Sequence, residues 1–483
     1  MAVQLTGREK EQAILKELLR SPESEFVALY GRWRVGKTFL VETVYKNEIV
    51  FSVTGLNRKA GKHLQLENFT NALNARLKST AQVPTVPASW LKAFDILQKY
   101  LESIRLSHKK VVFIDELPWL ASGKSDFLPA LENFWNSWAS KRTDIVLVVC
   151  GSAASWMISN VVKNRGGLHN RITKRIRLLP FSLYETESYL KSRKIQLERY
   201  DILQLYMVMG GIPHYLKEVK RGKSATQIID EVCFTKDGLL RDEFMNLYQG
   251  LFHNPERYID VIRALSKKPR GMTRSELINA TGLSSGGTTT KIFDALEESG
   301  FITRYLPVGN NLKLALYKLS DPYSAFYLKF VANSRASGTG TWMKKAATAS
   351  WKSWSGFAFE RICLAHIGQI KVALGISGIY TEESSWRKTG TANETGVQID
   401  LLIDRGDNAV NICEIKFSQT PFVISKKYAE ELRAKLFAFK ASTKTRKSLF
   451  LTMITTYGLV ENKYSTTLVH QHIEMDALFE KTS

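Results

Sequence analysis

A multidomain α/β chain is what this sequence predicts. The expectation is a parallel sheet flanked by helices at the front, a helical segment behind it, a helix-rich module ending in a hairpin, and a mixed α/β tail. Three observations carry it. Short apolar runs alternate with helical patterns over residues 1–180, as in parallel sheets covered on both faces. The first strong run, Phe26–Tyr30, leads straight into Gly31-Arg32-Trp33-Arg34-Val35-Gly36-Lys37-Thr38. From about residue 350 strand-like runs return, now carrying Asp400, Glu414 and Lys416. With 483 residues and 44% apolar side chains, the chain has room for about three domains of ~150 residues, each with its own core.

The front strands are expected near 26–30, 48–54, 110–115, 144–150 and 175–179. Gly-x4-Gly-Lys-Thr after the first strand aims several backbone N–H groups at one spot, and a helix from about Lys37 adds its positive end. That geometry binds phosphate. Gly31 and Gly36 permit the turn, Lys37 would reach the β- and γ-phosphates, and Thr38 would ligate Mg²⁺. The strand Lys110–Asp115 ends in Asp115-Glu116. Asp115 would hold the Mg²⁺ shell and Glu116 would polarise the attacking water, which points to hydrolysis of ATP. Ser152, after the strand ending at Cys150, fits either a sensor of the γ-phosphate or a helix cap. Arg171 fits either a finger on the γ-phosphate, from this subunit or a neighbour, or a surface residue of a basic chain. Ala81–Ala88, with Pro84 and Pro87, reads as a surface loop.

These residues resemble the prokaryotic AAA+ ATPases of the DEXX-box group, relatives of the STAND signalling ATPases. Gly7-Arg8-Glu9, the arginines Arg32 and Arg34 of the loop, Pro180-Phe181, and Gly210-Gly211-Ile212-Pro213-His214-Tyr215-Leu216 carry the resemblance. Trp33 is less usual, and Ala153 stands where many relatives have a second polar residue. The resemblance implies a P-loop AAA+ (ASCE) fold over 1–180, with the loop Gly31–Thr38 on the phosphates and Pro213 near the base.

Charge bounds the partners. Lys and Arg number 68 against 46 Asp and Glu, a formal net charge of +22, which favours polyanions, chiefly nucleic acid or anionic lipid surfaces. No stretch approaches the ~18 apolar residues that span a bilayer, and the first residues lack an apolar signal core. Cys150, Cys233, Cys363 and Cys413 show no CxxC spacing. A cytoplasmic protein acting on DNA, without membrane attachment and with a homo-oligomer open to it, is the expectation.

Residues 181–250 repeat apolar positions at helix spacing, as a lid behind the nucleotide would. Residues 251–325 read as a winged helix. Tyr258–Leu265 is amphipathic. Thr273 and Glu276 form a capping-box pattern, and a turn over Ser284–Thr290 leads into a helix from Lys291 to Ser299. A hairpin turns at Gly309-Asn310. Its third helix suits a major groove, although Asp294, Glu297 and Glu298 crowd it, and packing alone would equally use the module.

In the tail, 345–483, Glu360 lies among apolar residues of a helix. Asp400 lies in a strand, and Glu414 and Lys416 share one face of the next strand. A hairpin would bring Asp400 beside Glu414, where two carboxylates suit Mg²⁺. Lys416 would orient or activate water, and Glu360 would complete the metal shell or hold the lysine. The order Glu, Asp, Glu-x-Lys resembles the PD-(D/E)XK nuclease superfamily and the nuclease-like domain fused to DEXX-box ATPases, which implies a restriction-endonuclease-like fold. Solvated amphipathic strands, or a nuclease fold used only for binding, are the alternatives. The expected function is ATP-controlled, Mg-dependent cleavage or binding of DNA. Its rival is a STAND-like switch with a non-cleaving interaction module.

Overall fold

The structure is a computed structural model describing all residues except 1–4, 58–59, 78–84, 122–124, 163–165, 169, 308–313, 335–337, 389–395 and 483. The chain divides into two compact units, Met1–Pro180 and Phe181–Ser483. The further divisions expected at 250 and at 325–345 fall within the second.

The apolar runs of the first unit pair as strands, and the three central ones are buried on both faces. Strands β1 (Glu25–Tyr30), β2 (Ile49–Thr54), β3 (Lys110–Asp115), β4 (Ile145–Gly151) and β5 (Lys174–Arg177) form one sheet in the order β2-β3-β4-β1-β5, parallel throughout. Every residue of β3 and β4 is buried. Helices Lys62–Asn74, Trp90–Ser103 and Phe127–Ser137 cover one side with an aromatic core. Trp90 meets Phe127 at 4.7 Å between ring centroids, and Phe26 meets Trp135 at 4.9 Å. Burying such a side chain contributes about 1.5–3 kcal/mol. Gly31 has a packing reason as well: a Cβ there would lie 2.2 Å from the Leu178 carbonyl oxygen beyond β5.

The second unit begins with helices Leu183–Ser192, Arg199–Met209, Ala225–Phe234 and Glu243–Leu251. Leu190, Ile195, Leu203, Tyr206 and Met207, the positions at helix spacing, are all buried. Two sequence signatures meet here. The Phe181 amide donates to the Gly211 carbonyl at 2.7 Å, and the Tyr206 hydroxyl donates to the Phe181 carbonyl at 2.7 Å. A Cβ on Gly211 would sit 1.9 Å from that same oxygen, so only glycine fits. His366 fastens the start of the helix Leu183–Ser192: its Nε2 accepts the Leu183 amide at 3.0 Å while Nδ1 faces the Ile362 carbonyl at 2.8 Å.

Next come helices Pro255–Lys267, Arg274–Thr281 and Gly287–Glu298 with strands β6 (Met272–Thr273), β7 (Ile302–Tyr305) and β8 (Leu316–Leu319), in the sheet order β6-β8-β7. The capping box of Thr273 and Glu276 is formed, and Gly282 ends its helix at φ 68°. The third helix starts at Gly287, four residues before the expected Lys291. Thr289 explains the difference: it is buried, and its hydroxyl donates to the Ser284 carbonyl at 2.6 Å. Tertiary burial here overrides the weak helix preference of a threonine run. The hairpin turn at Gly309-Asn310 and much of the loop Ala81–Ala88 lie outside the described residues.

The tail holds a second five-stranded sheet, in the order β13-β12-β11-β10-β9. Its strands are β9 (Thr381–Lys388), β10 (Val397–Arg405), β11 (Ala409–Lys416), β12 (Ser448–Thr455) and β13 (Gln471–Glu474). Pairing is antiparallel from β9 to β11 and parallel from β11 to β13. Helix Lys426–Thr443 lays Leu432 and Phe439 against Ile399, Leu402 and Ile412. Helix Ala349–Ala365 carries Glu360.

Candidate nucleotide site and the carboxylate cluster of the tail

Sheet order builds the first site. With β4 lying between β1 and β3, the loop after β1, the acids after β3 and Ser152 after β4 leave the sheet at the same end. The loop turns through Arg34 at φ 68° and Gly36 at φ 91°, and the helix Lys37–Val44 starts from Gly36. Beyond its neighbours along the chain no atom lies within 4 Å of where a Gly36 Cβ would be, so its left-handed φ rather than crowding calls for glycine there. Trp33 carries Arg34 against its ring, 5.4 Å from the centroid. Arg32 is buried, and Val35 packs into the core.

Lys37 is buried and spans the loop, its Nζ donating to the Gly31 carbonyl at 3.0 Å, the Arg32 carbonyl at 2.9 Å and the Ser152 hydroxyl at 2.9 Å. The Thr38 hydroxyl donates to Asp115 Oδ2 at 2.6 Å. A hydroxyl and a carboxylate thus converge as the hard oxygen donors Mg²⁺ takes, so this pair fits the ion. Glu116 sits at φ 47°. Its carboxylate accepts the Ser152 hydroxyl and, at 3.3 Å, the Ser152 amide. Burial pushes the Glu116 carboxyl above the ordinary range, with the Lys37 charge and the Ser152 hydrogen bonds pulling it back. Sequence reasoning left Ser152 as either a sensor of the γ-phosphate or a helix cap. The structure shows it joined to both Lys37 and Glu116, a link between residues 115 and 36 positions away that no local pattern signals.

Arg171 is exposed in a turn, its amide bonded to the Leu168 carbonyl. Arg8 is buried, with its guanidinium on the Leu179 carbonyl. Pro213 opens the short helix Pro213–Leu216 of the second unit.

In the tail, one step past the paired Leu401 and Cys413, Asp400 and Glu414 are the next residues of β10 and β11. Glu414 and Lys416 face the same helix. Glu414 accepts the Tyr428 hydroxyl at 3.0 Å and an ion pair from Lys435, and Lys416 Nζ stands 3.8 Å from Glu414 and 4.7 Å from the Tyr428 ring centroid. Asp400 accepts Gln398 Nε2 at 2.7 Å. Glu360 is buried and bonded at 2.8 Å to Lys318 of β8 rather than to Lys416. Burial raises its carboxyl, and the Asp400 charge adds to that rise. Glu360 therefore pairs with Lys318 and not with Lys416, the lysine it was expected to hold. Among the described residues no three His, Cys, Asp or Glu side chains are grouped to hold a metal ion. With Glu414 and Glu360 each neutralised by a lysine, these donors do not fit Mg²⁺ as they stand.

Residues 5–219 match a family model described as an ATPase domain predominantly from Archaea. An uncharacterized protein of Methanocaldococcus jannaschii is 22% identical over 415 residues, covering 85% of this chain and 87% of that one. Among solved structures, a Walker-type ATPase of Pyrococcus abyssi is similar at 16% identity, over 67% of this chain and 96% of that one, with a TM-score of 0.47. The Aeropyrum pernix ORC2 protein in its ADPNP and ADP complexes is similar at 17% identity, over 71% and 96%, with a TM-score of 0.41. The family match supports ATPase chemistry for the front of the chain. Among the described residues no helix is long and apolar enough to cross a membrane.

Proposed function

We propose that this chain is an ATP-hydrolysing switch that acts on DNA, with hydrolysis in the first unit controlling how the second unit grips the nucleic acid. The observation that carries it is Ser152, whose single hydroxyl joins the phosphate-binding Lys37 to the proton-accepting Glu116. A γ-phosphate drawing Lys37 off the loop carbonyls would break that link and leave Glu116 to a water. Glu116 then accepts the proton of the attacking water, helped by the burial that raises its basicity. Lys37 neutralises charge developing on the phosphoryl oxygens. Mg²⁺, held by Thr38 and Asp115, would supply further neutralisation of the β- and γ-phosphates. The nucleotide contacts from Gly31 to Thr38, a base contact from Pro213, and an Arg171 finger, from this subunit or from a neighbour in a homo-oligomer, belong to the same reading.

Three features support DNA as the polyanion: the net charge of +22, the module over 251–325 read as a winged helix, and the exposed Lys426, Lys427, Arg433 and Lys440 of one helix. The neutralised carboxylates favour the tail as a binding module. Metal-dependent cleavage by Asp400, Glu414 and Lys416 is the second reading, favoured by the adjacency of Asp400 and Glu414 on paired strands.

Single-turnover ATP hydrolysis with and without duplex DNA tests the first reading, and rates that DNA leaves unchanged refute it. Plasmid nicking with Mg²⁺ or Mn²⁺ separates the two. We expect the intact chain, Asp400→Ala and Lys416→Ala to behave alike; nicking lost in both variants establishes the second reading.

A further inference from the structure

The second unit contains a cavity of about 1020 Å³ that the ATP site does not explain. It lies among helices Glu243–Leu251, Pro255–Lys267 and Ala349–Ala365. Its size is at the upper end for pockets that enclose small molecules. The charge of its wall is one-sided: Arg263, Lys267, Lys329 and Arg361 line it, and none of its lining residues is an aspartate or glutamate. Two of these cations have acids beside them behind the wall, Arg263 paired with Asp260 at 3.6 Å and Arg361 next to Glu360 and Asp321, so the attraction for an anion rests chiefly on Lys267 and Lys329.

Arg361 is the distinctive group. Its Nε donates to the Leu319 carbonyl at 2.7 Å, which fixes the guanidinium, while its buried Nη1 has no hydrogen-bond partner among the described residues. That spare donor is closed to solvent, so an oxyanion entering from the cavity reaches it only where a wall side chain moves aside. Aromatic side chains share the remaining wall with aliphatic and small polar ones. Tyr327, stacked on Phe244 at 4.6 Å and 5°, and Trp354 both line the space, and aromatic faces of this kind take a nucleobase.

We propose that this cavity binds a nucleotide unit, with its phosphate on Arg361 and the three surrounding cations and its base against Tyr327 and Trp354. The unit comes either from a free mononucleotide or from a single strand of nucleic acid. The site is separate from the phosphate loop of the first unit and gives the chain a second nucleotide-responsive position.

The test uses the full chain carrying Lys37→Ala, so that the first unit no longer retains nucleotide and failure of the ATP reading cannot be mistaken for failure of this one. The probes are mant-AMP, mant-adenosine, ribose 5-phosphate as competitor, and a 5′-phosphorylated single-stranded DNA of twelve nucleotides. The expected result is saturable binding of mant-AMP, at least about tenfold weaker for mant-adenosine, and at least about tenfold weaker again in the double variant Lys267→Glu/Lys329→Glu, whose exposed side chains leave the core intact. Binding of the oligonucleotide alone, weakened by the same double variant, assigns the strand as the source. Arg361→Met should abolish binding; if that variant does not fold, the double variant decides. The proposal is overturned if neither mant-AMP nor the oligonucleotide binds, if the double variant binds unchanged, or if ribose 5-phosphate competes as well as AMP.

Discussion

Acidification should loosen the second unit at one identifiable contact. His366 is 2% exposed, and burial lowers its imidazole from 6.5 to about 4. The folded chain holds the ring neutral, with Nδ1–H on the Ile362 carbonyl and Nε2 accepting the Leu183 amide; a proton on Nε2 would face a donor. Because the folded value lies below the unfolded one, this stabilisation is complete above pH 6.5 and is lost as pH falls toward 4. For values of 6.5 and 4, the unfolded chain gains a proton-binding advantage of about thirtyfold at pH 5, or about 2 kcal/mol, rising to about 3 kcal/mol below pH 4. Hydrogen exchange of peptides spanning Leu183 and His366, measured along a urea series at pH 7.5 and pH 5, reads this directly. His366→Gln should be less stable than the native chain at pH 7.5 and should lose about 2 kcal/mol less between the two pH values. Equal losses in both proteins would refute the assignment of the acid sensitivity to this ring.

Two further outcomes follow from the geometry. Glu116→Gln should retain nucleotide while hydrolysis falls by about a hundredfold or more; in the native chain the acid limb of the hydrolysis profile should sit above the ordinary carboxylate range, because burial raises Glu116, and it should vanish in the variant. Gly211→Ala should cost more than about 2 kcal/mol in urea unfolding, since its Cβ would meet the Phe181 oxygen at 1.9 Å, whereas Gly378→Ala, exposed and with open space around it, should stay within about 0.5 kcal/mol.

Much of the first site was legible in the sequence because its chemistry is local. Apolar runs covered on both faces declare themselves as strands, and Gly31 to Thr38 or Asp115 and Glu116 each occupy a single strand end. The capping box at Thr273 is legible for the same reason: donor and acceptor are three residues apart. The helix start at Gly287 was not, since the burial of Thr289 is settled by distant packing. Nor were the partners of the tail carboxylates. Lys435 lies 21 residues from Glu414, and Lys318 lies 42 residues from Glu360. In a chain with 68 lysines and arginines, nothing marks either one in advance.

The sequence by itself determined the glycine-bearing loop after β1 and which strands would carry acids, because hydrophobic period and backbone freedom act over a few residues. Only the tertiary structure decided that Ser152 would join Lys37 to Glu116, that Glu360 and Glu414 would each be neutralised by a lysine, and that Arg361 would be fixed in a cavity walled by cations. Those outcomes depend on which side chains burial forces into contact across long separations, and the energy of a buried charge is set by its neighbours in space.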